Sequence, residues 1–423
     1  MKNKTKQNDA NFNSPQFIPT KTGGVGGHFN SPFRGLGGSQ GHKLVLFGAG
    51  KIGRSFIGQL FSRGGYEVVF IDVFEPIIDE LNRRGNYNVI IKSEQDETLK
   101  IENVRGVLAT DTQAVVHEIA TADIVAVSIG QQGLPAAIPL LAKGLMLRHR
   151  EMYNSPLDII IAENLRNAAD YFEVELKKIL PTNYSFDKLV GLVETSIGKM
   201  VPIMLKKDME ADILQVFAEP YNNLILDKLA FKNPIPAIKG LSPKVNMKAW
   251  VDRKLFIHNL GHATTAYLGY KYNPKFVFLY EALAVPEIKT TVRETMLQAA
   301  AILLKKYPDE FTLEALTEHT VDLISRFQNR ALGDTIYRVG CDQKRKLSAE
   351  DRLAGAIHLA LELKMPYDKI LEAFIAGCSF KATDEAGNRL TDDVDFSEKY
   401  EKKGVEWALT EIAKMKKEIV NCK

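Results

Sequence analysis

The sequence predicts an α/β fold in two parts, a doubly wound parallel-sheet domain followed by an all-helical domain. Three observations predict it. From Lys43 onward, short apolar runs alternate with stretches of helical periodicity. A glycine-rich turn, Gly48–Gly53 (GAGKIG), lies between the first run and the first helix. Beyond Asn233–Pro236 (NPIP), the pattern is helical and strand-like runs are few. The plan is that of a Rossmann-type domain with a helical partner. Residues 1–41 are expected to form a disordered tail, 42–235 the nucleotide-binding domain and 236–423 the helical, substrate-binding domain.

The first 41 residues are rich in Gly, Asn, Ser and Pro and lack hydrophobic periodicity, and Phe-Asn-Ser-Pro occurs twice, at Phe12–Pro15 and Phe29–Pro32. Order begins at Lys43–Phe47 (KLVLF). The glycine turn follows at once, and a helix opens from it with Phe56, Ile57, Leu60 and Phe61 on one side. A second strand, Glu67–Asp72 (EVVFID), ends in an acid 19 residues after Gly53. Strand, glycine turn, helix, strand and acid together are the context that gives GxGxxG its meaning. The glycines of Gly48, Ala49, Gly50, Lys51, Ile52 and Gly53 let the backbone approach a pyrophosphate, which the helix N-terminus attracts. Arg54, in the first turn, is expected to add a charged contact. Asp72 is placed to accept from the adenosine ribose hydroxyls. No arginine directly follows it, and a carboxylate there repels a 2′-phosphate, so the cofactor expected is NAD. A mononucleotide or flavin site is the alternative on the same unit. The buried strand 122–130 brings Ser128 and Gly130 to the edge where strand C-termini line the crevice. Leu157–Ala162, another buried strand, ends in Glu163-Asn164. Asn164 is a site candidate there, with a helix cap as its structural alternative. Val190–Thr195 and Leu214–Ala218 read as further strands, and NPIP as the link between the halves. Helical periods then run through 248–268, 282–305, 313–326, 349–363, 367–376 and 397–415.

Composition removes several classes of function. With 55 basic and 52 acidic side chains the net charge is +3, which gives no electrostatic case for a nucleic-acid partner. Cys341, Cys378 and Cys422 show no paired spacing, so a reducing compartment fits. No apolar run reaches membrane-spanning length and the N-terminus lacks a charged-then-apolar signal, so the expected location is cytoplasmic. The partner expected is a small-molecule substrate, handled by a monomer or homodimer.

Lys254–His262 (KLFIHNLGH) carries the chemistry. At 100° per residue, an α-helix places His262 about 80° and Asn259 about 140° round from Lys254, on one broad face. A desolvated lysine is a base for a hydroxyl, and an asparagine N–H holds the developing alkoxide. His258 and His262, at i and i+4, also suggest zinc, but the glutamate of HExxH and a third ligand are missing, so no metal is expected. A late basic cluster, Arg338, Arg345, Lys346 and Arg352, suits a substrate phosphate, although such runs are ordinarily solvated.

These stretches resemble the polyol-specific long-chain dehydrogenases, the mannitol dehydrogenase family. The resemblance rests on Phe47–Arg54 (FGAGKIGR), the strand ending in Ala162–Asn164 (AEN), Arg253–Gly269 (RKLFIHNLGHATTAYLG) and Arg345–Leu353 (RKLSAEDRL), with the KxxxxNxxH signature as its most specific part. It runs from about Lys43 past Leu363, and within the family it is strongest to the branch acting on phosphorylated mannitol. It implies Lys254 as general base, Asn164 and Asn259 as oxyanion hole, His262 orienting substrate, and metal-independent hydride transfer between an alcohol and NAD. The chain departs from the pattern at Ile197–Pro202 (IGKMVP), where Lys199 stands at a position that can hold arginine and the preceding acid is missing. Hexuronate reductases acting on tagaturonate or fructuronate are the alternative within the family. An NAD-binding sensor without turnover is the alternative from another class.

Overall fold

The computed structural model describes residues 41–152 and 155–416. The tail expected over residues 1–41 therefore lies, but for Gly41, outside the described residues. An eight-stranded sheet forms the first half, built from β1 (Lys43–Phe47), β2 (Glu67–Asp72), β5 (Val104–Leu108), β6 (Ile124–Val127), β7 (Leu157–Ile161), β8 (Val190–Ser196), β10 (Leu224–Asp227) and β11 (Leu241–Lys244). Its order is β11-β10-β8-β7-β6-β1-β2-β5, parallel except where β10 meets β8. The runs KLVLF and IVAV are covered on both faces, which is why they are continuously apolar rather than alternating. From β1 the chain goes first towards β2 and β5, then returns to place β6 on the other side. That reversal opens a crevice at the carboxyl ends of β1 and β6.

A small sheet was not evident in the sequence. It has the order β4-β3-β9, from β3 (Asn86–Ile91), β4 (Glu97–Glu102) and β9 (Val216–Ala218). The NPIP segment is no free link either. Asp158, fully buried in β7, accepts from the backbone of Lys232 at 2.7 Å and of Asn233 at 3.1 Å, and from Asn233 Nδ2 at 2.8 Å. β11 then rejoins the sheet beside β10, so sheet gives way to helices at Asn246, whose side chain caps Met247–Arg253.

The helical half is organised around Leu260–Tyr272, which has no polar face and is buried almost throughout. Gly261 and Gly269 permit this: a Cβ would fall 2.4 Å from Met296 Sδ at one and 2.7 Å from Ala282 Cβ at the other. The surrounding helices include Leu279–Leu283, Pro286–Lys306, Ile336–Gly340 and Asp368–Cys378. Pro286 divides the helix expected over 282–305 into two.

Buried polar bonds lock the halves together. Glu219, 1% exposed, accepts from Arg326 Nε at 2.8 Å and Nη2 at 2.6 Å, and from the backbone N–H of Met200. Ile203 N–H donates to Leu332 O at 3.1 Å, and Asn329 Nδ2 to Lys92 O at 3.2 Å. These contacts hold the stretch 326–332 against the first half.

Candidate active site

The glycine turn leaves β1 at Gly48, where φ is +100° and a Cβ would lie 2.2 Å from Ser128 O. Only glycine fits that approach. Gly48 N–H donates to Ile71 O at 2.7 Å and Ser128 N–H to Phe47 O at 2.8 Å, so the turn is tied to both neighbouring strands. At Gly53 a Cβ would lie 2.0 Å from Gly48 O. The helix that follows begins as a π-turn, Gly53–Gly58, with Phe56, Ile57, Leu60 and Phe61 all buried. Asp72 accepts from Ala49 N–H at 2.7 Å and Phe74 N–H at 3.0 Å, one backbone bond to each carboxylate oxygen. Each oxygen retains a lone pair for a ribose hydroxyl.

Arg54 requires a correction. Its guanidinium is buried, donating to Ala49 O at 2.7 Å, Ile213 O at 2.9 Å and Leu214 O at 2.5 Å. It braces the turn from beneath instead of facing a phosphate. Lys51 is the exposed cation of the turn, and its pKa is lowered by partial burial and by the charge of Arg338 across the crevice.

Past β6, Ile129 and Gly130 donate their N–H groups to Glu163 Oε1 at 2.7 and 2.9 Å. Glu163 is buried, and burial pushes its pKa up against those two bonds. It holds the Ser128–Gly130 loop in place, a structural task that the sequence does not reveal.

The neighbouring Asn164 meets the helical half. Lys254 Nζ donates to Asn164 Oδ1 at 3.0 Å, although 90 residues separate the two in sequence. With its oxygen so occupied, the amide of Asn164 keeps its Nδ2 donors for another ligand. Lys254 has its pKa lowered to about 8, mainly by burial and then by Arg352. The helix is not α here. Lys254–Asn259 is a π-turn, with Leu260 N–H donating to Leu255 O. In π geometry residues i and i+5 stand one turn apart. Asn259 therefore sits nearly over Lys254, whereas a regular helix separates them by about 140°.

His262 stacks on Phe327, with ring centroids 4.8 Å apart and planes at 20°, and its Nε2 lies 2.9 Å from Asp334 Oδ2. Burial, followed by the charges of Arg338, Arg352, Lys346 and Arg326, lowers its pKa well below the usual value, which favours the neutral ring. Of the basic cluster, Arg338 pairs with Asp334, and Arg352 bonds Asp351 at 2.7 Å and reaches Asn259 O at 3.5 Å. Lys346 is buried against Val339 O at 2.9 Å, which holds its pKa at about 8. Arg345 is exposed and paired with Asp342 and Asp351. Arg345 is thus engaged by two carboxylates, and Lys346 gives one of its donors to a backbone carbonyl. The rings of His258 and His262 are 6.2 Å apart, and among the described residues no group of three His, Cys, Asp or Glu side chains is placed to hold a metal ion.

A glycine-turn crevice, closed by a helical half that brings a desolvated lysine onto an asparagine, defines a two-domain dehydrogenase. Within that class the chain belongs to the mannitol dehydrogenase family: residues 42–240 match the mannitol dehydrogenase Rossmann domain and residues 246–420 the mannitol dehydrogenase C-terminal domain. Among solved structures it is similar to D-sorbitol dehydrogenase in substrate-free form, at 15% identity and a TM-score of 0.69 over 88% of this chain and 87% of that one. It is also similar to Pseudomonas fluorescens mannitol 2-dehydrogenase in ternary complex with NAD and D-mannitol, at 15% identity and a TM-score of 0.63 over 88% and 86%. At such identities the likeness is one of fold. No helix among the described residues is long and apolar enough to cross a membrane.

Proposed function

We propose that the protein interconverts mannitol 1-phosphate and fructose 6-phosphate with NAD, in the manner of a mannitol-1-phosphate 5-dehydrogenase. The observation that carries the reading is the Lys254–Asn164 bond, formed beside the crevice by a lysine whose pKa is about 8. A Cβ at Gly48 would strike Ser128 O and one at Gly53 would strike Gly48 O, so both positions demand glycine, as the tight turn of a dinucleotide-binding unit does. Gly48–Gly53 would hold the pyrophosphate and Asp72 the ribose, and Asp72 disfavours a 2′-phosphate. NAD supplies the hydride acceptor. The neutral amine of Lys254 takes the proton of the substrate hydroxyl, Asn164 Nδ2 and the Asn259 amide donate to the oxygen as its charge develops, and His262 orients a neighbouring hydroxyl. Arg338 and Arg352, whose charges both act on His262, are the donors suited to a phosphate.

A substrate panel tests this reading: NADH oxidation with fructose 6-phosphate, fructose, tagaturonate and fructuronate. Charge-assisted hydrogen bonds contribute about 1.5–3 kcal/mol each. Two of them predict a kcat/KM for the phosphate at least about 100-fold above that for fructose. Equal values for the two sugars would remove the phosphate from the assignment, and a preference for the uronates would replace it.

The cradle makes its own prediction. Gly53→Ala is expected to weaken NADH binding by about tenfold or more and to cost about 1–3 kcal/mol of stability, as overpacking does. Fluorescence titration and thermal melting check this against Gly41→Ala, where a Cβ meets nothing within 4 Å. Wild-type NADH affinity in Gly53→Ala would refute the cradle.

A further inference from the structure

Asp334 has no part in the chemistry above, yet the chain around it is built to fix its place. Gly333, at φ +65°, turns the backbone after the short helical turn Arg330–Leu332. Leu279 N–H donates to Asp334 O at 3.0 Å, and Thr335 bridges to Phe278. Thr335 Oγ1 then accepts from Arg338 N–H at 3.2 Å, capping the helix Ile336–Gly340. Between these anchors the Asp334 side chain, 5% exposed, offers one carboxylate oxygen to His262 Nε2 at 2.9 Å and pairs the other with Arg338.

An ionised carboxylate only accepts hydrogen bonds. The Arg338 pair favours that ionised form. The shared hydrogen must therefore be on His262 Nε2, and in a neutral ring Nδ1 is then an unprotonated acceptor. Phe327 sets the plane of the ring by stacking, and Asp334 sets its rotation within that plane. We propose that Asp334 is a positioning residue that holds His262 in the Nε2–H tautomer, so that Nδ1 accepts from a substrate hydroxyl beside the reacting carbon. The inference rests on the polyol–ketose reading of the site. Without the carboxylate the ring divides between tautomers, and one of them turns an N–H towards a hydroxyl that needs an acceptor.

Two measurements test it. Long-range 1H–15N NMR of protein labelled in histidine reads the tautomer directly, with His262→Gln assigning the signal. The wild type is expected to show Nε2–H, and Asp334→Ala a loss of that pure state. In ketose reduction with NADH and fructose 6-phosphate, Asp334→Ala is expected to lower kcat/KM by about 10–100-fold, as loss of an orienting partner does. Asp334→Asn, whose amide oxygen still accepts, recovers most of the loss, and NADH affinity stays within about twofold. In a His262→Ala background, Asp334→Ala adds less than about a threefold loss, because its effect runs through the ring. An Nδ1–H tautomer in the wild type, or losses that multiply in the double variant, would overturn the proposal. Should the wild type reduce no ketose at all, the functional reading fails, while the NMR result still decides whether Asp334 holds the ring.

Discussion

Replacing Lys254 by alanine is expected to lower kcat for alcohol oxidation by about 10²–10⁴-fold, the usual contribution of a positioned base. NADH affinity should stay within about twofold, because the glycine cradle is built from β1, β2 and β6 and owes nothing to the helix that carries the lysine. Stopped-flow turnover and NADH fluorescence measure the two quantities separately. A nucleotide sensor without turnover predicts no kinetic consequence for this substitution. Retained turnover would end the base assignment, and joint loss of turnover and NADH binding would make the residue structural.

The pH profile follows from the same side chain. A lysine can accept the hydroxyl proton only when neutral, and here burial and Arg352 bring its pKa down to about 8. Below that pH the ammonium dominates, and kcat/KM for oxidation should climb about tenfold per pH unit before levelling above it. Ketone reduction needs the ammonium as donor, so it should fall as pH rises through the same point. Lys199 is also lowered to about 8, but it donates to Tyr221 O at 2.8 Å and Asn222 Oδ1 at 2.9 Å, both protein oxygens. Lys199→Met should therefore leave the inflection in place. A flat oxidation profile from about pH 6 to about pH 10 would contradict the role of Lys254.

What the sequence conveyed and what it concealed divide along the range of the interactions. The first βαβ unit was legible because a buried parallel strand must be continuously apolar and a tight turn must be glycine, both local demands. The role of Arg54 was not legible. Its guanidinium is claimed by Ile213 and Leu214, carbonyls 159 and 160 residues away. The strand Leu241–Lys244 was hidden for a similar reason: it is short and only partly buried, and its place is set by pairing with Leu224–Asp227. Asp334 follows a glycine in a connection between helices, where Gly-Asp ordinarily marks a turn, and only the fold brings it to a histidine 72 residues earlier. The spacing of Lys254, Asn259 and His262 makes them candidates, but on an α-helix it implies a different arrangement from the one the π-turn gives. A π-turn has no strong local signal, and this one lies where Phe256, Ile257 and His258 are all buried.

That π-turn carries the second large effect. With Asn259 as the proposed donor to the developing alkoxide, Asn259→Ala is expected to lower kcat by about 10²–10³-fold, with little change in NADH affinity. Asn259→Asp should be worse for a separate reason. The π register places position 259 one turn from the amine, so a carboxylate there adds an anion beside both Lys254 and the alkoxide. The alkoxide is repelled, and the lysine is stabilised as ammonium, so the oxidation inflection should move from about 8 to higher pH. On a regular α-helix the same substitution, about 140° away, would leave the inflection nearly where it was. Measuring kcat/KM against pH for Asn259→Asp therefore separates the two helix geometries. An unmoved inflection would show that the asparagine and the lysine do not share a face during catalysis.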